Sequence, residues 1–314
     1  MNLKDEKIGN EFFIYMDEFK KIVYGQNENC VILDMPYGKF EYVKEVDNDK
    51  RKYEDCHIPG AIKIEKEEFE NEESDLNILS AEIIEKVFLK KGIDADTDVY
   101  VYSDGIIAAA RVALVAYWLG VRSVKLLVGG INAWIKDGNL TENGVVEPKE
   151  KSRFGIKTPL RPEILVSTPQ DVMERYQENP DFVLASVRTW EEFTGDESGY
   201  DYIDNIGSPI GAVFAKGSTS RINVEYLLND EGVVGDLKEI FEDWNSWGIQ
   251  KEKEVAFFCG AGWRAALAFF LTKELGWPNV KVYDGGWYQW VKYHHSEPEK
   301  YPIQKGNPKE KENL

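Results

Sequence analysis

The chain has 314 residues, enough for two domains of ordinary size. Its 43% hydrophobic and 30% charged residues indicate a globular protein rather than a disordered one. A formal net charge of −18 argues against nucleic-acid and anionic-lipid partners, which are bound largely through Lys and Arg. No apolar run reaches the ~20 residues of a membrane span, and the first residues lack a signal-peptide pattern. We therefore expect a cytoplasmic protein without membrane contact, although a leader already removed would leave no trace in the chain.

The first half contains one strongly apolar segment, from Gly105 to Val121, interrupted only by Arg111. This segment predicts a buried helix. The sequence from Thr141 to Pro162 is rich in Gly, Pro, Lys and Glu without apolar periodicity, which is typical of a linker.

The second half alternates short apolar runs with amphipathic segments. The runs that predict buried strands are Asp181–Ala185, Gly211–Ala215, Glu254–Phe258 and Val280–Tyr283. The segments that predict helices are Thr168–Tyr176, Leu237–Trp247 and Ala265–Leu275, the last stopped by Gly276 and Pro278. Strands that alternate with helices predict a parallel sheet covered by helices on both faces.

The sequence is internally repeated. When it is shifted by 156 positions (248 − 92), residues 92–134 lie on 248–290 without a gap, and several glycines and a tryptophan coincide. This period is far too long for a solenoid, so it indicates a duplicated domain. We therefore predict an α/β protein with an N-terminal domain at 1–145, a linker at 146–160, a second domain at 161–300 and a frayed polar tail at 301–314.

Cysteine and histidine are scarce. The three cysteines, Cys30, Cys56 and Cys259, cannot form a disulfide framework or a four-ligand zinc site, and only three histidines are present. We expect no metal and no cofactor. If a cysteine is functional, it acts as a thiol.

Of the three cysteines, Cys259 has the sequence surroundings expected of a reactive thiol. It follows the predicted strand Glu254–Phe258 and precedes a glycine-bearing loop and a helix that we expect to begin near Ala265. Ligand sites of open α/β sheets lie at this end of the strands. Gly260 and Gly262 permit the positive φ values that let successive N–H groups curl into an anion-binding nest. A thiol held there, at a helix N-terminus and near Arg264, is favoured as the thiolate. The alternative is a structural cysteine buried after a strand.

Three motifs resemble the tandem-domain rhodaneses, the thiosulfate sulfurtransferase family. Tyr53-x3-His57-Ile58-Pro59-Gly60-Ala61-x2-Ile64 matches the family's N-terminal signature, and Tyr283-Asp284-Gly285-Gly286-Trp287-x-Gln289-Trp290 resembles its C-terminal signature, with Gln289 where Glu is usual. The segment from Cys259 to Arg264 resembles the six-residue active-site loop of the second repeat. The resemblance implies two tandem rhodanese-like domains, each a short parallel sheet flanked by helices on both faces.

The resemblance also implies a function. Cys259 would be the nucleophile that carries a sulfane sulfur from thiosulfate, as a persulfide, to cyanide or a thiol. Donor binding would fall to the loop residues Gly260, Ala261, Gly262, Trp263 and Arg264, and also to Arg188. A thiol-redox protein is a further candidate acceptor. Arg188 could instead brace a loop through an ion pair. In the first repeat Ser103 takes the position of Cys259, so this domain would be non-catalytic.

Three alternatives remain open at this point. A cysteine phosphatase has five residues between Cys and Arg, whereas this chain has four, from Gly260 to Trp263. A 3-mercaptopyruvate sulfurtransferase would share both glycines but carry Thr in place of Arg264. A rhodanese-like binding module without catalysis is the third alternative, and intact Cys259 argues against it for the second half.

Overall fold

The structure is a computed structural model that describes residues 11–25, 29–38, 51–221, 224–228 and 237–311. The strands of its first half are β1 (Phe13–Ile14), β2 (Cys30–Met35), β3 (Ile62–Lys63), β4 (Asp98–Ser103) and β5 (Ser123–Leu127), and the helices are α1 (Met16–Val23), α2 (Ala81–Lys90), α3 (Ile106–Leu119) and α4 (Gly130–Lys136). Short 3-10 turns lie at Lys66–Glu68, Glu72–Ser74 and Pro162–Ile164. The strands of the second half are β6 (Leu165–Val166), β7 (Phe182–Ser186), β8 (Ser208–Pro209), β9 (Val213–Phe214), β10 (Glu254–Phe258), β11 (Val280–Tyr283) and β12 (Ile303–Gln304). Its helices are α5 (Pro169–Glu178), α6 (Trp190–Thr194), α7 (Leu237–Ser246), α8 (Trp263–Glu274), α9 (Gly286–Ser296) and α10 (Pro308–Lys311).

The duplication predicted from the sequence is present in the topology. Each half has a five-stranded parallel sheet, ordered β1-β5-β4-β2-β3 in the first and β6-β11-β10-β7-β9 in the second. β4 and β10 occupy the same central place, so Ser103 and Cys259 stand at equivalent ends of equivalent strands. The predicted fold class, two α/β domains with parallel sheets, is confirmed.

Helices cover both faces of each sheet. Successive strand residues point to opposite faces, so neighbouring residues of one strand pack against different helices. In β4, Val99 and Val101 pack with α2 and α3, whereas Tyr100 and Tyr102 pack with α1 and α4. The second sheet divides its residues in the same way between α8 and the pair α5 and α9. Buried strands covered on two faces explain the continuous apolar runs in the sequence.

The two halves share one apolar core. α3 and α8 pack against each other, and a single cluster of buried side chains joins them. This explains why the predicted helix from Gly105 to Val121, observed as α3, is apolar all round: one face meets its own sheet and the other meets α8. Arg111 is fully buried in the middle of α3. No helix in the described part of the chain is long and apolar enough to cross a membrane.

Element ends differ from the sequence prediction by a few residues. α8 begins at Trp263, two residues before the expected start, because Gly262 has a φ of +78° and takes the N-cap position. The predicted strand Gly211–Ala215 shortens to Val213–Phe214, since Gly211 has a φ of +75°, which no strand permits.

The C-terminal tail is not frayed over residues 301–311, contrary to expectation. Ile303 and Gln304 pair antiparallel with β8, and Tyr301 is buried against Trp290. The polar composition misled the prediction because one aromatic side chain and one short strand pairing suffice to dock this segment. Its last three residues, 312–314, lie outside the described part of the chain.

Phe270 tests whether the shared core stabilises the molecule as a whole. It is fully buried in α8, and its ring lies 5.3 Å from Phe12 and 6.2 Å from Tyr117 of the first half. Phe270→Ala should lower the free energy of unfolding by about 3–5 kcal/mol, because it leaves a cavity between the domains. Phe270→Leu removes much less volume than Phe270→Ala and should cost about 1.5 kcal/mol. Urea unfolding followed by tryptophan fluorescence measures both, and equal effects of the two variants would contradict the prediction.

Candidate functional site

Cys259 lies directly after β10, at the carboxyl end of a central strand. The cysteine is free, and the residue as a whole is 3% exposed. The carbonyl oxygens of Cys259 and Gly260 accept hydrogen bonds from Trp287 N and Tyr288 N of α9, at 2.8 and 3.0 Å. Because a trans peptide points its N–H opposite to its C=O, the N–H groups of Gly260 and Ala261 point away from α9.

Both glycines of the loop are required by close approaches. Gly260 does not adopt the positive φ expected from the sequence, but a Cβ atom there would lie 2.4 Å from the ring of Tyr200. Gly262 has a φ of +78°, and a Cβ atom there would lie 2.6 Å from Nη1 of Arg111. Gly286, with a φ of +53°, lies against the carbonyls of Cys259 and Gly260 in the same manner. The loop can therefore hold this shape only with glycine at these positions.

Arg264 forms the base of the loop. Its guanidinium pairs with Glu192 through two parallel hydrogen bonds of 2.9 Å, donates to Ser220 O at 3.1 Å and also donates to the Tyr200 hydroxyl. Burial alone would raise the pKa of Glu192, but Arg264 holds it below its usual value. The ion pair is the arrangement expected if Arg264 braces the loop. Arg264 nevertheless lines the cleft above Cys259.

Arg188 lies near Cys259 but outside the lining of the cleft. It is fully buried beneath the loop, where its guanidinium donates to Gly207 O at 2.9 Å and to the hydroxyls of Ser208 and Ser186 at 2.7 and 3.1 Å. It packs between the rings of Phe258 and Trp287. Burial lowers the pKa of Arg188. Among the described residues that line the cleft, Arg188 does not occur, and its hydrogen bonds go to neutral oxygens rather than to the carboxylate we expected as the alternative.

Cys259 opens into a cleft of about 400 Å³ between the two domains. Aromatic and charged side chains dominate its walls. The first domain contributes Tyr37, Lys66, Glu70, Glu72, Leu76 and Ile107, and the second contributes Tyr200, Asp201, Tyr202, Arg221 and Tyr288 besides Cys259, Gly260, Ala261, Trp263 and Arg264 of the loop. Gly262 of the loop is not part of this lining. Trp263 stands at the wall, with its ring 4.9 Å from Tyr37 and its indole N–H donating to Glu70 at 2.8 Å.

Sequence reasoning missed most of these wall residues. The run from Tyr200 to Tyr202, with two tyrosines in three residues, was the one local signal for the second domain. The first-domain residues carry no such signal, because only the packing of the two domains brings them to Cys259.

The equivalent loop of the first domain is closed by its own side chains. The Ser103 hydroxyl accepts a hydrogen bond from Ala109 N at 3.2 Å and donates to Gly105 O. Asp104 pairs with Arg51 at 2.7 Å, and Arg51 also binds Asp34 at 2.6 Å. Burial raises the pKa of Asp104 to about 6, against the opposing effect of Arg51.

The comparisons with known proteins agree with this architecture. The family model for the rhodanese-like domain matches twice, at residues 18–137 and 168–293. The thiosulfate sulfurtransferase YnjE of Escherichia coli (strain K12) is 34% identical over 282 residues, which are 88% of this chain and 64% of that protein. The 3-mercaptopyruvate sulfurtransferase of the same organism is 26% identical over 77% of this chain and 83% of its own.

Two solved structures share the fold along nearly the whole chain. The crystal structure of YnjE matches with a TM-score of 0.82 and 32% identity over 96% of this chain and 70% of that chain. A structure of EanB that contains a cysteine persulfide, in a tetrahedral intermediate state with ergothioneine, matches with a TM-score of 0.83 and 27% identity over 97% and 73%. The two matches of the rhodanese-like family model, together with the duplicated fold, identify the chain as a member of this family with two such domains in tandem.

Proposed function

We propose that the protein is a sulfurtransferase that moves a sulfane sulfur from thiosulfate to a thiophilic acceptor, cyanide or a thiol, through a persulfide on Cys259. The observation that carries the proposal is the position of Cys259, a buried free thiol at the floor of the interdomain cleft within a glycine loop at the N-terminus of α8. The names of the relatives, thiosulfate sulfurtransferase above all, support it.

The chemistry has two balanced steps. The Cys259 thiolate attacks the outer sulfur of thiosulfate, the sulfur–sulfur bond of the donor breaks, and sulfite leaves with the electron pair. The acceptor then attacks the terminal sulfur of the persulfide, which releases thiocyanate from cyanide and regenerates the thiolate. A nucleophile that stores the transferred atom splits one step into two easier ones. N–H groups directed at the persulfide would stabilise its negative charge without reorganisation.

The loop from Gly260 to Arg264 is the donor-binding element in this proposal. Its backbone N–H groups and the charge of Arg264 favour a dianionic donor, and Glu192 fixes the orientation of the guanidinium. A direct role for Arg188 in donor binding has less support, because that side chain lies beneath the loop and outside the lining of the cleft.

The first domain acts without a nucleophile of its own, since Ser103 and Asp104 cannot form a persulfide. We further propose that the protein works in the cytoplasm, where its three free cysteines would remain reduced, and that a thiol-redox protein is one of its acceptors.

The alternatives predict different substrates. A 3-mercaptopyruvate sulfurtransferase would prefer that donor, a cysteine phosphatase would hydrolyse an aryl phosphate, and a binding module would turn over none of them. Rates with thiosulfate, mercaptopyruvate and an aryl phosphate, measured side by side, test the proposal. We expect the highest kcat/KM with thiosulfate, and phosphatase activity without sulfur transfer would overturn the proposal.

Cys259 should be the site of the covalent intermediate. After treatment with thiosulfate, mass spectrometry of the intact protein and its peptides should show one added sulfur atom on the peptide that contains Cys259. Cys259→Ser should abolish sulfur transfer, because a hydroxyl cannot store sulfane sulfur. The matched variants Cys30→Ser and Cys56→Ser should retain both the modification and the activity. Added sulfur on Cys30 or Cys56 would show that Cys259 is not the nucleophile.

Arg264 should contribute to donor binding through its charge, which Glu192 holds in place by accepting from both Nη groups. Arg264→Lys keeps the charge but loses the fork that orients it, so the thiosulfate KM should rise more than kcat falls. The loss of a charge-assisted hydrogen bond corresponds to a roughly 10- to 150-fold loss in kcat/KM. Steady-state kinetics and a melting curve are measured together.

Glu192→Gln is the matched variant, because it removes the countercharge and keeps the side-chain shape. It should raise the thiosulfate KM, in the same direction as Arg264→Lys, because an amide cannot accept from both Nη groups that orient the guanidinium. If Arg264→Lys is folded and leaves the thiosulfate KM unchanged, Arg264 has no role in donor binding. If it melts at a lower temperature and affects all donors equally, its role is to brace the loop.

The closed loop of the first domain should be dispensable for the chemistry. Asp104 contacts Arg51 and lies outside the cleft that contains Cys259, so Asp104→Ala should leave the rate of persulfide formation unchanged within about twofold. The rate is measured by rapid mixing with thiosulfate, well below the melting temperature of the variant. A loss of orders of magnitude in a folded protein would show that this half takes part chemically.

A further inference from the structure

Arg111 lies in the first domain but bonds to the second. It is fully buried in α3, and its guanidinium pairs with Glu70 of its own domain at 2.8 Å and with Asp284 of the other domain at 2.5 Å. Burial by itself lowers the pKa of Arg111, but the two carboxylates raise it above its usual value. One cation thus joins two acidic groups across the domain boundary.

The guanidinium also lies directly against the Cys259 loop. A Cβ atom on Gly262 would lie 2.6 Å from Nη1 of Arg111 and 3.2 Å from Oδ1 of Asp284. The backbone at Gly262 therefore rests on this ion pair, at the position where the loop turns into α8.

Glu70 reaches the next loop residue. Its Oε2 accepts from Arg111, while its Oε1 accepts from the indole N–H of Trp263 at 2.8 Å. The Trp263 ring packs 4.9 Å from Tyr37 and 6.4 Å from Phe69, both in the first domain. Trp263 is thus held from the first domain by its ring and by its N–H.

Asp284 connects Arg111 to the other segment that fixes Cys259. Its second oxygen accepts from Ile78 N at 2.7 Å, so the first domain binds both oxygens of this carboxylate. Three and four residues later, Trp287 N and Tyr288 N donate to the carbonyls of Cys259 and Gly260.

We infer that Arg111 is a positioning residue for Cys259: together with Glu70 and Asp284, it holds both the loop at Gly262 and Trp263 and the α9 segment that binds the loop carbonyls. This role rests on the proposed function of Cys259 as the nucleophile. It gives the first domain, which has no nucleophile, a direct part in the geometry of the second.

Arg51 offers a matched control in the same chain. It is also buried in the first domain and also pairs with two carboxylates, Asp34 at 2.6 Å and Asp104 at 2.7 Å. Both partners belong to the first domain, and neither lines the cleft above Cys259. Arg51→Lys therefore perturbs the first domain through the same chemistry without touching the Cys259 loop.

The first experiment compares Arg111→Lys with Arg51→Lys in thiosulfate–cyanide kinetics. Lysine keeps the charge but cannot bond to Glu70 and Asp284 in the same geometry. Misplacement of a reacting group by about 1 Å costs on the order of 100-fold in rate, so kcat of Arg111→Lys should fall roughly 10- to 100-fold, and by more than KM changes. Arg51→Lys should keep the wild-type kcat. Wild-type kcat in folded Arg111→Lys, or an equal loss in Arg51→Lys, would overturn the inference.

If Arg111→Lys does not fold, the kcat of Glu70→Gln tests the positioning role instead. The amide oxygen can still accept from Trp263 while the charge is lost, so kcat should fall in the same direction by a smaller factor. Unchanged kcat in this variant would then overturn the inference.

The second experiment separates this inference from the proposed function. Hydrogen exchange of the Trp287 and Tyr288 amides reports the bonds to the loop carbonyls whether or not sulfur is transferred. Exchange should be at least about tenfold faster in Arg111→Lys and unchanged in Arg51→Lys, since exchange follows local opening. If the wild type forms no persulfide but these amides respond as expected, the proposed function fails and the structural clamp stands. If the amides of Arg111→Lys exchange at the wild-type rate, the positioning role is wrong.

Discussion

The buried cation of Arg111 between Glu70 and Asp284 is the interaction on which the arrangement of the two domains and of the Cys259 loop depends. A buried charge is stable only when it is paired and hydrogen-bonded, and removal of one partner of a buried pair costs about 3–5 kcal/mol. α3 and α8 supply apolar packing between the domains, and the ion network adds directional bonds from Arg111 to Glu70 and Asp284. The network therefore determines where the first domain sits relative to Gly262 and Trp263.

The two domains share one fold, but the loop after β4 and the loop after β10 differ in their side chains and in their access to the cleft. Gly130 and Gly286 have nearly the same φ, +55° and +53°, and each lies against the carbonyl of the residue that ends or follows the central strand, Ser103 or Cys259. The backbone framework is thus kept in both halves. In the first half, hydrogen bonds within the loop and the pair of Asp104 with Arg51 fill the site. In the second half the loop stays open to the cleft, and a thiol stands at its floor.

The chain has a large negative net charge, but the cleft at Cys259 carries both positive and negative side chains. The net charge of −18 would repel a dianionic donor at long range, although salt screens such repulsion beyond ~10 Å. Near Cys259 the cleft carries Lys66, Arg221 and Arg264 beside three carboxylates, and the backbone N–H groups of the loop add favourable dipoles. In the proposed function, local geometry rather than total charge would govern which small anion reaches the thiol.

The sequence by itself determined the duplication, the alternation of buried and amphipathic segments, and the position of the Cys259 loop between a strand and a helix, because these depend on local periodicity, glycine positions and contiguous motifs. The strand that ends at Tyr283 and the end of the preceding helix before Gly276 were predictable for the same reason. Only the tertiary structure decided which side chains surround the thiol. Glu70, Arg111 and Tyr37 precede Cys259 by well over a hundred residues, and nothing local marks them as neighbours of the loop. The pairing of Arg264 with Glu192 and the docking of Ile303 on β8 were likewise decided by the fold. Local sequence patterns do not show which residues far apart in the chain come into contact.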